Sequence, residues 1–297
     1  MNKTAKIILI IAICMIPAGI LVTMLGVSMG GKIGWSLNLS EGKITVSSDA
    51  VTKTEDLDDF DSLELEISTA DVNIMRGDAY RIEYKTQEGK EPVITQENGK
   101  LTIRQPSMGF VMFNFGFANE GNEYTITVPD SGKQIDLNAK ISTGDLMLDR
   151  IKVSGRVDAS TSDVLLNDID GDELSVTVSA GDINGDKVRV SDINLNGSTS
   201  DIEMLRLMSD KVYAHTSTGD IDINDSAIPD LSCDTSTGDV TVQMNAKPED
   251  YSYDLNVSTG DIVVNGVECE KSYIKDNRTG KKIGIKTSTG DIDVTVN

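Results

Sequence analysis

A tetrapeptide that returns almost every nineteen residues limits what this chain can fold into. Ser-Thr-Gly-Asp or a near variant occurs nine times, with its aspartates at Asp71, Asp145, Asp163, Asp182, Asp201, Asp220, Asp239, Asp261 and Asp291. From Asp145 onward the spacings are 18, 19, 19, 19, 19, 22 and 30 residues. The serine three places before each aspartate is present every time, from Ser68 to Ser288. Self-similarity at such a period marks a repeat architecture in which each unit packs only on its neighbours.

The flanks repeat as well. Apolar or small residues stand eight, six and four places before the aspartate, as in Leu63, Leu65, Ile67 and Leu174, Val176, Val178. One and three places after it the pattern resumes, as in Val72, Ile74 and Ile221, Ile223. Both flanks alternate with period 2, the pattern of a strand with one buried face. The inward parity changes across the tetrapeptide, which is therefore a corner between two strands. A further apolar residue about six places on (Ile151, Ile169, Val188, Leu207, Val267) suggests a third short side. One repeat is then one turn of a narrow coil, and stacking at ~4.8 Å aligns equivalent residues in ladders. Helix repeats do not fit period-2 flanks, and the paired-glycine nonapeptide of a calcium coil is missing. The expected fold is all-β: a single-stranded β-solenoid (β-helix) of about nine or more ~19-residue coils, with a right-handed winding preferred.

Ahead of the repeats, Ile7 to Met29 form an uncharged apolar run of 23 residues. At ~1.5 Å per residue it reaches about 35 Å, enough for a bilayer core of roughly 30 Å. Lys3 and Lys6 precede it, which directs the N-terminus to the cytoplasm and the bulk of the chain outside. The run exceeds a signal-peptide core, and no A-x-A-like cleavage site follows. The expected organisation is a cytoplasmic stub and transmembrane helix over 1–30, a linker over 31–62, and a solenoid over 63–297 with an irregular insertion at 105–123. The expected location is the cell membrane, single-pass.

Composition removes several function classes. The net charge is -21, from 27 Lys and Arg against 48 Asp and Glu. Such a chain lacks the clustered bases that nucleic-acid backbones and anionic lipid surfaces require. One His and three Cys leave little for a triad or a zinc site.

The aspartate column is the first candidate site. Carboxylates ~4.8 Å apart repel by about 0.9 kcal/mol in water and nearer ~3.5 kcal/mol at an effective dielectric of 20. Something must offset this. Backbone N–H bonds at the corner are the leading explanation; Ca²⁺ or Mg²⁺ on a ladder through Asp182, Asp201, Asp220 and Asp239 is the other. No other cofactor is expected. Ala70, Ser162 and Ser200 replace the corner glycine, so a positive φ is not obligatory there. Asp168-Ile-Asp170-Gly-Asp172-Glu173 lacks EF-hand spacing, and Arg76-Gly77-Asp78 reads as an ordinary turn. His215 falls on an outward position, Cys233 on an inward one, and a Cys233–Cys269 bridge is open. Phe110, Phe113, Phe115 and Phe117 crowd one segment between Asp71 and Asp145. They form either a cap over the open end of the coil or a surface for a partner or the outer leaflet. Uniform spacing from Asp163 to Asp239 leaves no loops to build a cleft for a polysaccharide-active β-helix enzyme.

The anchor, the entry Phe60-Asp-Ser-Leu-Glu-Leu-Glu-Ile-Ser-Thr-Ala-Asp71, the Val128-Pro129 step and the repeated Ser-Thr-Gly-Asp coils together resemble the bacterial putative-adhesin family of cell-envelope β-solenoids, which includes LiaG-like proteins and is a domain of unknown function. The resemblance covers nearly the whole chain. It implies display outside a Gram-positive-type membrane, a link to envelope stress and no catalytic residues. The expected function is a non-catalytic, membrane-anchored binding protein, an adhesin or envelope-stress accessory. Its expected partner is a cell-envelope component or membrane protein, and its oligomeric state stays open. The alternatives are an accessory regulator acting on a membrane protein through the Phe-rich segment, and the polysaccharide enzyme.

Overall fold

The computed structural model describes residues 34–38, 43–46, 50–87, 89–105, 111–116, 121–130 and 133–297. The apolar run 7–29, Phe110 and Phe117 lie outside them. Among the described residues no helix is long and apolar enough to cross a membrane. Two compact units divide the chain: Met1–Val51 with Ser107–Glu120, and Thr52–Pro106 with Gly121–Asn297.

The larger unit is all-β and solenoid-like. Strands that run into the corners form one parallel face, and strands that leave them form a second. On the first face Ser62–Thr69, Ile135–Thr143 and Val153–Thr161 pair in parallel. The face continues through the end of Val164–Ala180, the end of Ile183–Thr199, then Lys211–Thr218 and Asp230–Thr237. The register aligns inward residues in columns. One runs Leu65, Ala139, Val157, Val176, Leu195, Ala214, Cys233, Ile285, Leu255, and all nine are buried. Small and large members mix along it. Burying each larger aliphatic side chain contributes roughly 1.5–3 kcal/mol.

The third side is present through the middle of the stack. Val164–Ala180 and Ile183–Thr199 bend continuously around it, pairing Ile169 with Val188 and Asp170 with Arg189. Parallel bridges Lys152–Asp170, Arg189–Met208 and Met208–Ala227 extend it. Ile151, Ile169, Val188 and Leu207 are buried there. Val267 departs from that expectation: it is 64% exposed and pairs antiparallel with Val264. The turn at Asn265–Gly266 sends the chain back on itself before a third side can form.

Chain order and spatial order differ at the end of the stack. Lys281–Thr289 lies between Asp230–Thr237 and Tyr251–Thr259. Ile292–Val296 lies likewise between Val240–Met244 and Ile262–Val264. The coil of Asp291 is thus inserted between those of Asp239 and Asp261. The outermost strands are antiparallel: Ser272–Lys275 on one face and Val267–Cys269 on the other.

The opposite end repeats this device. Glu123–Pro129 is inserted between Asp71–Gly77, its parallel partner, and Arg81–Gln87, its antiparallel partner. Lys100–Arg104 extends the first face beside Ser62–Thr69, and Val93–Glu97 closes it antiparallel. The stretch between Asp71 and Asp145 is therefore both a degenerate coil and a cap. Its corner lacks the Ser-Thr-Gly-Asp tetrapeptide. Gln105 serves in its place, bonding the backbone N–H groups of Ser68 and Thr69 and the carbonyl of Thr69.

The segment 31–62, expected to be a linker, contains strands. Ala50–Asp56 pairs with Arg81–Gln87. In the smaller unit Gly34–Asn38 pairs antiparallel with Lys43–Val46 and with Val111–Gly116. The register sets Trp35 opposite Phe115 and Leu37 opposite Phe113. Period-2 apolar residues at 35, 37, 44 and 46 were the signal for strands here.

Candidate functional site

The nine corner aspartates form one continuous ladder. Eight of the nine carboxylates accept, through Oδ1, a hydrogen bond from the backbone N–H of the aspartate in the next coil. Asp71 receives Asp145, which receives Asp163, and the chain of bonds runs on through Asp182, Asp201, Asp220 and Asp239 at 2.7–3.0 Å. It then passes from Asp239 to Asp291 and from Asp291 to Asp261 at 2.7 and 2.8 Å. The bond expected within each turn is instead made between coils. It offsets repulsion along the column and locks the corners in register. The last carboxylate, Asp261, faces Lys271 Nζ at 2.6 Å. Among the described residues no three His, Cys, Asp or Glu gather closely enough to hold a metal ion, the set Asp182, Asp201, Asp220 and Asp239 included.

Close stacking explains the glycine before the aspartate. Gly238 has φ +150°, and a Cβ on it would stand 1.9 Å from the carbonyl oxygen of Gly219. Ala70, Ser162 and Ser200 have no positive φ. Each is followed in the stack by a glycine: Gly144, Gly181 and Gly219.

The second corner uses no glycine. Arg150, Asp168, Lys187, Arg206 and Asp225, each five places after a corner aspartate, have φ of 51–56°. Ion pairs gather around them. Arg189 bonds Asp170 at 2.7 Å and Asp168 at 2.8 Å, which holds the Asp168 carboxyl below the usual carboxylate range. Two of the four carboxylates of the calcium-like sequence, Asp168 and Asp170, are thereby committed. In the Arg76-Gly77-Asp78 turn, Arg76 pairs with Asp130 at 2.7 Å.

The residues of ordinary catalytic type are dispersed. His215 Nδ1 lies 3.4 Å from Asp234 on the outer surface, with its ring stacked beside Tyr213. Cys233 is buried in the core column, and burial pushes its thiol pKa up. Cys233 and Cys269 are both free thiols. Phe113 and Phe115 are brought into register with Leu37 and Trp35.

A basic stretch was missed by motif reading. Residues 271–286 contain six bases (Lys271, Lys275, Arg278, Lys281, Lys282, Lys286) against one acid, Asp276. In a chain of net charge -21 this local reversal was the available signal. The inserted coil carries Lys282 and Lys286 to the outer surface of the first face. There, with Lys275, they border a notch of about 400 Å³ whose lining also holds Asp234, Asp254, Asp276, Tyr213, Ile274 and Gly284.

Solved structures similar to this chain include a putative adhesin from Bacteroides fragilis, 12% identical, covering 84% of this chain and 98% of its own, with a TM-score of 0.47. A putative lipid binding protein from Parabacteroides distasonis is 14% identical and covers 84% of this chain and 97% of its own, with a TM-score of 0.47. A putative cell adhesion protein from Clostridium sporogenes is 15% identical over 84% of this chain and 100% of its own, with a TM-score of 0.27. No curated protein matches the chain. The family model described as Toastrack DUF4097 matches residues 60–295. The chain belongs to the Toastrack DUF4097 family.

Proposed function

We propose that this chain is a membrane-anchored, extracytoplasmic binding protein of the adhesin kind, without catalytic activity, whose solenoid has nine coils or more. The observation that carries the reading is the aspartate ladder. Eight of the nine corner carboxylates accept an N–H from the next coil, so they serve structure. The strands between them expose regular rows of polar side chains at ~4.8 Å spacing, a surface suited to many equal contacts with a repetitive envelope component. The 23-residue apolar run with Lys3 and Lys6 before it supports a single-pass anchor with the N-terminus inside. Protease added to intact cells should degrade the region 31–297 of a membrane-bound chain, and purified chain should release no fragments from wall polysaccharides. A chain protected inside the cell, or glycan turnover, would overturn the reading.

A second reading, an accessory regulator of a membrane protein, is favoured by one pairing. The Phe-rich strand Val111–Gly116 pairs with Gly34–Asn38, which starts five residues after Met29. Phe113 stands opposite Leu37, eight residues after Met29, and eight residues span at most about 29 Å, so an anchored chain would hold Phe113 within that distance of the bilayer. A photo-crosslinker at position 113 should trap a specific membrane protein if this reading holds.

A further inference from the structure

Among the described residues the two most exposed large hydrophobic side chains sit at the same end of the stack. Ile274 is 73% exposed and Val267 64% exposed. They lie on the two outermost strands there, Ser272–Lys275 on the first face and Val267–Cys269 on the second. Among the described residues each of these strands pairs on one side only.

Two bonds fix which way the backbone of the first-face strand points. The Val257 N–H donates to the Lys271 carbonyl at 2.9 Å, and the Asn277 N–H donates to Ser252 Oγ at 3.0 Å. Along an antiparallel pair, residues alternate between bonding the neighbour and facing away from it. Lys271, Tyr273 and Lys275 therefore bond toward Tyr251–Thr259, and Ser272 and Ile274 turn their N–H and C=O groups to an open edge. The devices that usually blunt such an edge are a proline, a bulge or a cover. No proline and no register shift occurs between Ser272 and Lys275.

The edge is complementary to itself. An antiparallel copy related by a two-fold axis at Ile274 sets Ile274 opposite Ile274 of the second copy. In that register the outward N–H and C=O of Ile274 exchange bonds with their equivalents. Tyr273 stands opposite Lys275 of the second copy, a ring beside a cation, and Glu270 comes to the side of Arg278. Among the described residues the side chains of Glu270, Lys275 and Arg278 hold no ion pair, so none has to be broken. The neighbouring registers that keep the same faces together fail on charge. An axis at Ser272 sets Glu268 opposite Asp276, and an axis at Asp276 sets that carboxylate opposite itself and Lys271 opposite Lys281.

We propose that the chain dimerises through this edge, two copies joining end to end with Ile274 at the centre. The interface is isologous, so it closes at two copies and leads to no fibre. It joins the first faces into one sheet and does not depend on the binding reading above.

The test is sedimentation of the full-length chain in detergent, together with disulfide trapping. The chain should dimerise with a Kd below about 100 μM, a modest affinity suited to one strand edge. Ile274→Lys should weaken association tenfold or more and leave the melting temperature unchanged, because the side chain it replaces is exposed. In a background free of Cys14, Cys233 and Cys269, Ile274→Cys should crosslink to its own copy under mild oxidation. Opposed Cα atoms of a hydrogen-bonded pair stand about 5.5 Å apart, within disulfide reach. Ser272→Cys alone should not crosslink, since its two copies are four residues, about 14 Å, apart along the strands. Adding Asp276→Cys to Ser272→Cys should restore the crosslink. Leu165→Cys, exposed in the middle of the stack, should stay uncrosslinked. A chain that stays monomeric at about 100 μM, a dimer indifferent to Ile274→Lys, or crosslinking at position 274 no faster than at 165 would overturn the proposal.

Discussion

The middle of the coil stack and its two ends solve different problems with the same chain. From Asp145 to Asp239 each coil has a neighbour on both sides, spatial order follows chain order, and every strand pairing between coils is parallel. Its core is aliphatic and contains no aromatic side chain. At the ends a coil has only one neighbour, and a bare strand edge would invite pairing with another chain. Both ends insert a later segment inside the stack and finish with antiparallel strands. Among the described residues the buried aromatics are all there: Phe60, Tyr84 and Tyr124 at one end, Tyr251 and Tyr253 at the other. Rings pack against rings, as in Phe60 with Tyr80 at 5.1 Å and Tyr253 with Tyr273 at 5.9 Å. Narrow columns favour aliphatic ladders where two neighbours confine them, and rings close the stack where one neighbour is absent.

The largest effect should come from removing residues 278–297. In a sequentially stacked solenoid this would trim the last coil. Here it removes an internal one, with Ile283, Ile285, Ile292, Val294 and Val296 all buried. At roughly 1.5–3 kcal/mol each, the loss is comparable to the whole stability of a domain, about 5–15 kcal/mol. The truncated chain should yield no cooperative melt by circular dichroism. Survival with a melting temperature within a few degrees of the full chain would erase the distinction between middle and end.

Next in size is Gly238→Ala, expected to cost about 2–4 kcal/mol in chemical denaturation, because the added methyl meets a carbonyl in a strained φ region. At the end coil Ala70 already occupies the same corner, and Ala70→Gly should cost only about 0.5–1 kcal/mol. The ladder gives a smaller contrast. Asp201→Ala orphans the N–H of Asp220 and should cost about 1 kcal/mol, whereas Asp261→Ala at the ladder's end should cost less than half of that. Smallest is Tyr124→Phe. The Tyr124 hydroxyl is buried without a hydrogen-bond partner among the described residues, and desolvation pushes its pKa up to about 12. Its removal should be neutral or stabilising by up to about 1 kcal/mol.

Much of the middle was legible because a corner and a period-2 flank recur at one spacing. Leu65, Val157 and Leu195 announce their column by position alone. The order of the ends was not legible. Asp261 and Asp291 carry the same corner and the same inward flanks, so either coil fits on that of Asp239. Only the 30-residue interval between them hinted at a return path. The second corner was also hidden, because Lys187 and Arg206 take positive φ without the glycine or asparagine that usually signals it. For the candidate site, composition concealed the relevant feature: a net charge of -21 drew the reading to aspartates and away from six bases at 271–286.

The insertion of the Asp291 coil sets the order at the end of the stack, and disulfide trapping tests it directly. Thr241 is opposite Asp293, and Asp293 is opposite Val263. In a background free of Cys14, Cys233 and Cys269, Thr241→Cys with Asp293→Cys should crosslink under mild oxidation, since adjacent strands stand ~4.8 Å apart. Thr241→Cys with Val263→Cys should not, since two strand spacings of about 9.6 Å exceed disulfide reach. A Thr241–Val263 crosslink without a Thr241–Asp293 crosslink would show sequential stacking and contradict the account.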